Sequence, residues 1–225
     1  MAATRPTPSA ARSTRDRLLS AATEEFAARG FDGAKVDRIA ARARVNKAML
    51  YYHFRSKTAL YQAILLDLFG RAAGAVTAVR ERGGPPEAQL RAFIEAVAGA
   101  ALSQPQFPPM WLREIADGGR HLSPPIVAEM RRVVDTLAAI LADGRRAGVF
   151  RDANPFITQI GVVAPLLFFA ATAPVRERFR QIVPAEVADA RHQEVIRHVL
   201  AATLAAVAVT PAAPALTSSS RRPRS

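Results

Sequence analysis

The chain has 225 residues, half of them apolar, and a formal net charge of +12, so it can bury a substantial core in one large or two modest domains. It has no cysteine, which excludes disulfides, thiolate metal sites and cysteine nucleophiles and fits a reducing, cytoplasmic setting. The charge is uneven: residues 1–57 hold twelve Lys and Arg against five Asp and Glu, residues 58–210 hold sixteen against fourteen, and Arg221, Arg222 and Arg224 close the chain. A basic front joined to a nearly neutral body points to a polyanion-binding module fused to a part with another task.

Residues 1–12 and 211–225 mix Pro, Ala, Ser, Thr and Arg, and their composition predicts a disordered arm and a disordered basic tail. The arm lacks the basic-then-apolar layout of a signal peptide. Between the two, apolar residues recur at spacings of three and four and no stretch alternates, which predicts an all-α chain of about nine helices.

The first helix spans about 14–29, with Leu18, Leu19, Ala22 and Phe26 on one side, Ser13 and Asp16 as a cap, and Gly30 as the stop. A short helix follows at 35–42, where Val36, Ile39, Ala40 and Ala43 share a face. After a three-residue turn comes a second short helix, 46–54, N-capped by Asn46. Ser56 then caps a long helix reaching about 81, ended by Gly83-Gly84-Pro85-Pro86. Further helices are predicted near 87–103, 109–117, 124–147, 155–172 and 186–208.

Two short helices across a tight turn, braced by a longer one, make a helix-turn-helix, whose second short helix enters the major groove. At 100° per residue, Leu50 and Phe54 fall on its inner face and Ala48, Met49 and Tyr52 on its outer face. That outer face is badly suited to water but well suited to thymine methyls, with a hydroxyl for a base edge or phosphate. Lys47, Tyr51, His53 and Lys57 surround it as phosphate donors, joined by Lys35 and Arg44, while Asn46 sets the helix start. Double-stranded DNA is the expected partner.

Gly30-Phe31, Val36, Ile39-Ala40, Val45-Asn46-Lys47, Leu50-Tyr51-Tyr52-His53-Phe54, Ser56-Lys57 and Leu60 together resemble the TetR family of transcription regulators over about residues 14–62. The resemblance implies a helix-turn-helix DNA-binding domain over 13–57 and a helical-bundle domain for ligand binding and dimerisation over 58–210. It also implies a homodimer and a repressor released from a palindromic operator by a small-molecule effector. Three departures stand out. Ala34-Lys35 replace the hydroxyl residue usual before Val36, Arg44 occupies a turn position often held by Gly, and Ala48-Met49 replace a frequent Gly-Thr, so operator sequence does not carry over.

No Gly-x-Ser-x-Gly, His-Glu-x-x-His or phosphate-binding glycine loop occurs, and the histidines are four: His53, His121, His192 and His198. His192 and His198 stand six apart, off the usual helical metal spacing. The chain is expected not to be an enzyme and to need no cofactor or metal. Phe93, Phe107, Met110, Trp111, Phe168 and Phe169 are candidates for an effector cavity, with Arg113, Glu114 or His121 for polar selection and an apolar or aromatic ligand as the default. The 155–172 helix is apolar nearly all round, so Phe156, Ile160, Val163 and Leu167, with Val199, Leu200 and Leu204 of the last helix, are candidates for the dimer interface. Gly161, Ala164, Ala201 and Ala205 permit close approach there. The charge-free stretch 154–175 approaches the length of a membrane span, but Pro155, Pro165, Pro174, Thr158, Gln159 and Thr172 dilute it. A buried or interfacial helix is the favoured reading and no membrane partner is expected. The alternative is a basic helical interaction or membrane-associated protein without sequence-specific DNA binding.

Overall fold

Ser13 starts the first helix as its sequence requires, its hydroxyl accepting from the Asp16 N–H at 3.1 Å. The computed structural model describes residues 13–209; the arm expected over 1–12 and the tail expected over 211–225 lie outside them. Helix α1 (Thr14–Gly33) runs regularly to Gly30, whose φ of 70° kinks the chain where the sequence placed a stop, and one further turn follows. Then come α2 (Val36–Ala43), α3 (Lys47–Phe54) and the long α4 (Lys57–Arg82), capped by Ser56. The body adds α5 (Pro86–Leu102), α6 (Phe107–Ala116), α7 (Pro124–Arg146), α8 (Pro155–Ala171), α9 (Ala173–Arg178), α10 (Ala185–Ala188) and α11 (His192–Val207).

The described residues thus form eleven helices and no strand, an all-α chain as expected, with two more helices than the periodicity suggested. Both extra helices come from breaks that an apolar pattern does not register. The 155–172 helix stops at Thr172 and restarts with Pro174 in the first turn of α9. The 186–208 helix divides because the Glu194 carboxylate turns back to accept the Arg191 N–H at 3.0 Å, which fixes a new helix start.

Two apolar cores share α4. The first gathers Leu18, Ala22, Phe26, Ile39, Leu50 and Phe54 from α1–α3 around Leu60, Tyr61, Ile64 and Leu65 of α4, and takes in Met110 and Ile126 from the body. The second packs Ala73 and Val76 of α4 with Leu90, Phe93 and Ile94 of α5, Leu137 and Ile140 of α7, Val162 and Leu166 of α8, and Val199 and Val207 of α11. Each large apolar side chain withdrawn from water in these cores contributes roughly 1.5–3 kcal/mol. One rigid helix therefore begins beside α1–α3 and ends inside the body.

The second core is closed by a tight approach. Gly144 lies directly beneath the Phe150 ring, where a Cβ would come within 1.9 Å of Cδ2. Phe150 is thereby buried, and its strand-like segment pairs with the residues that end α11, Arg151 N–H donating to Val207 O (2.8 Å) and Val209 N–H to Val149 O (3.0 Å).

Candidate DNA-reading face and effector cavity

The turn between α2 and α3 is made by Arg44, which takes a left-handed conformation (φ 53°, ψ 49°) so that its N–H and that of Val45 cap α2. The chain accepts the strain that a glycine would avoid. Asn46 then starts α3, its Oδ1 accepting from the Ala48 N–H at 2.7 Å. Leu50 and Phe54 anchor the helix in the first core, which leaves Ala48 exposed, Met49 half-buried and Tyr52 79% exposed. The outer face is bare.

Around that face the expected phosphate donors sit in different states. Lys35, Arg44 and Tyr51 are exposed. Lys47 is exposed but pairs with Asp37 at 2.8 Å, and that contact raises its pKa. Lys57 is half-buried: its Nζ donates to Asp32 O (3.4 Å) and lies 4.6 Å from the centre of the Phe31 ring, so it also fastens the last turn of α1 to α4. His53 needs correcting. Its Nε2 is enclosed and finds no partner among the described residues, because the ring packs beside Tyr52 and Phe54 instead of turning outward.

Glu25 of α1 holds α2 in place. Its buried carboxylate accepts from Arg38 Nε at 2.5 Å and from the Lys35 N–H at 3.4 Å, with Arg29 at 3.5 Å. Burial alone would raise its pKa. The hydrogen bonds from Arg38 and Lys35 and the charges of Arg38 and Arg29 outweigh that and hold it below its ordinary value.

In the body a cavity of about 820 Å³ opens between α4, α5, α6, α7 and α8. Phe107, Trp111 and Phe168, expected there, line it; Leu68, Phe69, Val133 and Val134 were not foreseen. Phe69 meets the Trp111 and Phe107 rings edge-on at 4.9 and 5.5 Å. Four expected lining residues are elsewhere. Phe93 is sealed in the second core and Met110 in the first, Phe169 packs against Arg176 and His192, and His121 is buried beside Glu114.

The polar residues of α6 and the following loop turn away from the cavity. Arg113 Nη1 donates to the carbonyls of Phe26 and Ala27 in α1, and Arg120 pairs with Asp32 at 2.5 Å. Glu114 Oε1 accepts from the His121 N–H (2.8 Å), its Oε2 lies 2.9 Å from His121 Nδ1, and the His121 ring lies 3.9 Å from that of Phe31, tilted by 38°. Burial, with the Glu114 carboxylate alongside, pushes the Tyr61 hydroxyl pKa up. One face of α6 thus walls the cavity and the other is bonded to α1.

Of the expected dimer residues, those on α11 are taken up within the subunit. Phe156, Ile160, Val163 and Leu167 line the cavity, Val199 and Leu200 are buried in their own subunit's core, and Leu204 is half-buried against it. The large side chains of α11 are used up by α8 and α5. On α8, Phe156, Ile157, Ile160 and Phe168 stay half or more exposed, beside the exposed small residues Gly161 and Ala164, and α11 adds the exposed Ala201 and Ala205.

Residues 18–64 match the model of bacterial regulatory proteins of the tetR family, and residues 86–204 match that of the tetracyclin repressor-like C-terminal domain. The chain belongs to the TetR family. It is therefore a DNA-binding transcriptional regulator and not an enzyme, in a family whose members are dimers with small-molecule effectors. The membrane-associated alternative is not favoured. By length and composition α4 and the 155–178 stretch could each cross a bilayer, but α4 packs on α5 and α7, and α8 packs on α5, α7 and α11.

Among TetR relatives, the chain is 29% identical over 158 residues to the transcriptional repressor NicS of Pseudomonas putida, covering 69% of this chain and 74% of that one. The crystal structure of PfmR from Thermus thermophilus matches with a TM-score of 0.65 at 29% identity, over 84% of this chain and 98% of that one. A TetR regulator from Rhodococcus RHA1 shares the fold, with a TM-score of 0.71 at 19% identity over 89% and 100% of the two chains.

Proposed function

We propose that this regulator is a homodimeric repressor that sets two α3 helices about one DNA turn (~34 Å) apart on a palindromic operator and releases it when a small apolar or aromatic molecule fills the cavity. The observation that carries the DNA half is the open Ala48, Met49 and Tyr52 surface on a helix anchored by Leu50 and Phe54. Those three side chains read base edges, while Lys35, Arg44, Lys47, Tyr51 and Lys57 hold phosphates. The likeness to NicS, named a repressor, supports repression here. Such a protein works in the cytoplasm, beside the chromosome.

Two elements carry the signal. Helix α4 runs from Lys57, at the reading head, to Leu68 and Phe69 in the cavity wall; α6 runs from Trp111 in that wall to the Arg113 contact with α1. A ligand that forces α6 from α8 pulls on α1 and shifts the spacing of the two heads. A coupling of about 1–3 kcal/mol lowers operator affinity roughly 5- to 150-fold. The subunits meet through α8 and α11, where Gly161, Ala164, Ala201 and Ala205 let the backbones approach.

Selecting bound fragments from the source genome at about 150 mM salt tests this reading. A two-fold symmetric sequence is expected, with altered base preference in the Tyr52→Ala variant; fragments of no common sequence would overturn it.

A further inference from the structure

We propose that the effector is an uncharged, mainly apolar molecule carrying one hydrogen-bond donor, and that Gln159 selects for that donor. This rests on the cavity being the effector site. No Lys, Arg, His, Asp or Glu lines the cavity among the described residues. An ionised ligand would enter without a counter-charge, at a desolvation cost that disfavours it strongly.

Among the described residues that line the cavity, only Trp111 and Gln159 carry side-chain nitrogen or oxygen. The indole can only donate. Gln159 stands on the cavity side of α8, one turn from Phe156 and Val163, on a helix whose one other polar side chain is Thr158. Its Oε1 is shut away from solvent and meets no donor among the described residues. A buried amide oxygen left unpaired is costly, and a leucine would fill the same wall without that cost. A small rotation of the side chain toward a ligand hydroxyl or N–H supplies the missing partner. A ligand lacking the donor leaves the deficit in place and binds more weakly.

The chain's one tryptophan is Trp111, so its fluorescence reports occupancy of the cavity directly. The test titrates the full chain with para-octylphenol, its methyl ether and para-octylbenzoate. In the unaltered protein the phenol is expected to bind about 10-fold tighter than the ether, with the ionised benzoate no tighter than the ether. In Gln159→Leu the ether should bind at least as well as before and the phenol preference should shrink to within about 2-fold. Gln159→Met, an unbranched replacement of similar length, serves as a second variant should the leucine disturb packing. An equal phenol preference with and without Gln159 overturns its role while leaving the cavity as a ligand site. Tightest binding by the benzoate overturns the uncharged class. No fluorescence response to any of the three overturns the effector-cavity reading, and the inference with it.

Discussion

Arg113, on a helix that walls the cavity, donates across the body to the main-chain carbonyl of Ala27 in α1. Its neighbour Glu114 holds His121, whose ring lies 3.9 Å from that of Phe31 in α1, so this end of α6 meets α1 at two points. Arg113→Ala is therefore expected to leave operator affinity within about 3-fold of normal without ligand, but to blunt the ligand-induced loss. Fluorescence anisotropy on labelled operator, with and without effector, measures both; an undiminished response would exclude this route.

The open face of α3 and the charges around it should fail differently. Tyr52→Ala or Met49→Ala changes the relative affinity among operator variants, whereas Lys57→Ala weakens all sequences alike and lowers the salt slope by about one unit. Because Lys57 also holds Asp32 O and covers Phe31, its variant should lose about 1 kcal/mol of stability as well. Binding isotherms across a salt series on an operator library separate the two behaviours.

Arg44 gives a case in which stability and function part company. Glycine relieves the left-handed strain, so Arg44→Gly should raise stability by about 0.5–1 kcal/mol. It also removes an exposed cation beside the groove, so DNA affinity should fall. Urea unfolding and operator titration on the same preparation check the opposite signs.

Glu25→Gln removes a carboxylate that binds Arg38 and the Lys35 N–H, and should cost about 1–3 kcal/mol at neutral pH. Folding lowers the pKa of Glu25 below its ordinary 4.5, so its stabilisation is complete above that value and is lost as pH falls through the folded pKa. Unfolding curves of the two proteins should therefore converge on acidification below about pH 4.5.

Ala205→Glu puts a charge on the small-residue face of α11 without touching its own subunit's core. Light scattering should show a shift toward monomer, and operator binding should drop to that of a single head.

Much of this was legible from the sequence because it is local. Asn46 and Ser56 cap their helices as their chemistry dictates, and the 100° wheel placed Leu50 and Phe54 inside and Tyr52 outside. Faces are local; neighbours are not. Phe93 and Phe168 are the same residue type on helices of similar pattern, yet one fills a core and the other a cavity, because only the packing of five helices decides where space is left. The same limit misplaced Val199 and Leu200, whose stripe is satisfied within the subunit. Gln159 carried a readable clue, an isolated amide in a charge-free apolar run, but its burial depends on α8 meeting other helices.

Helix α8 serves two masters: Val163 and Leu167 wall the cavity while Ile157 and Gly161 look outward, on the side proposed for the second subunit. Occupancy and assembly then obey one law of mass action. Dilution that separates the subunits alters the walls a guest molecule meets, so its dissociation constant drifts with protein concentration. A cell holding few copies and one holding many would answer the same dose differently, with no change in either sequence or operator.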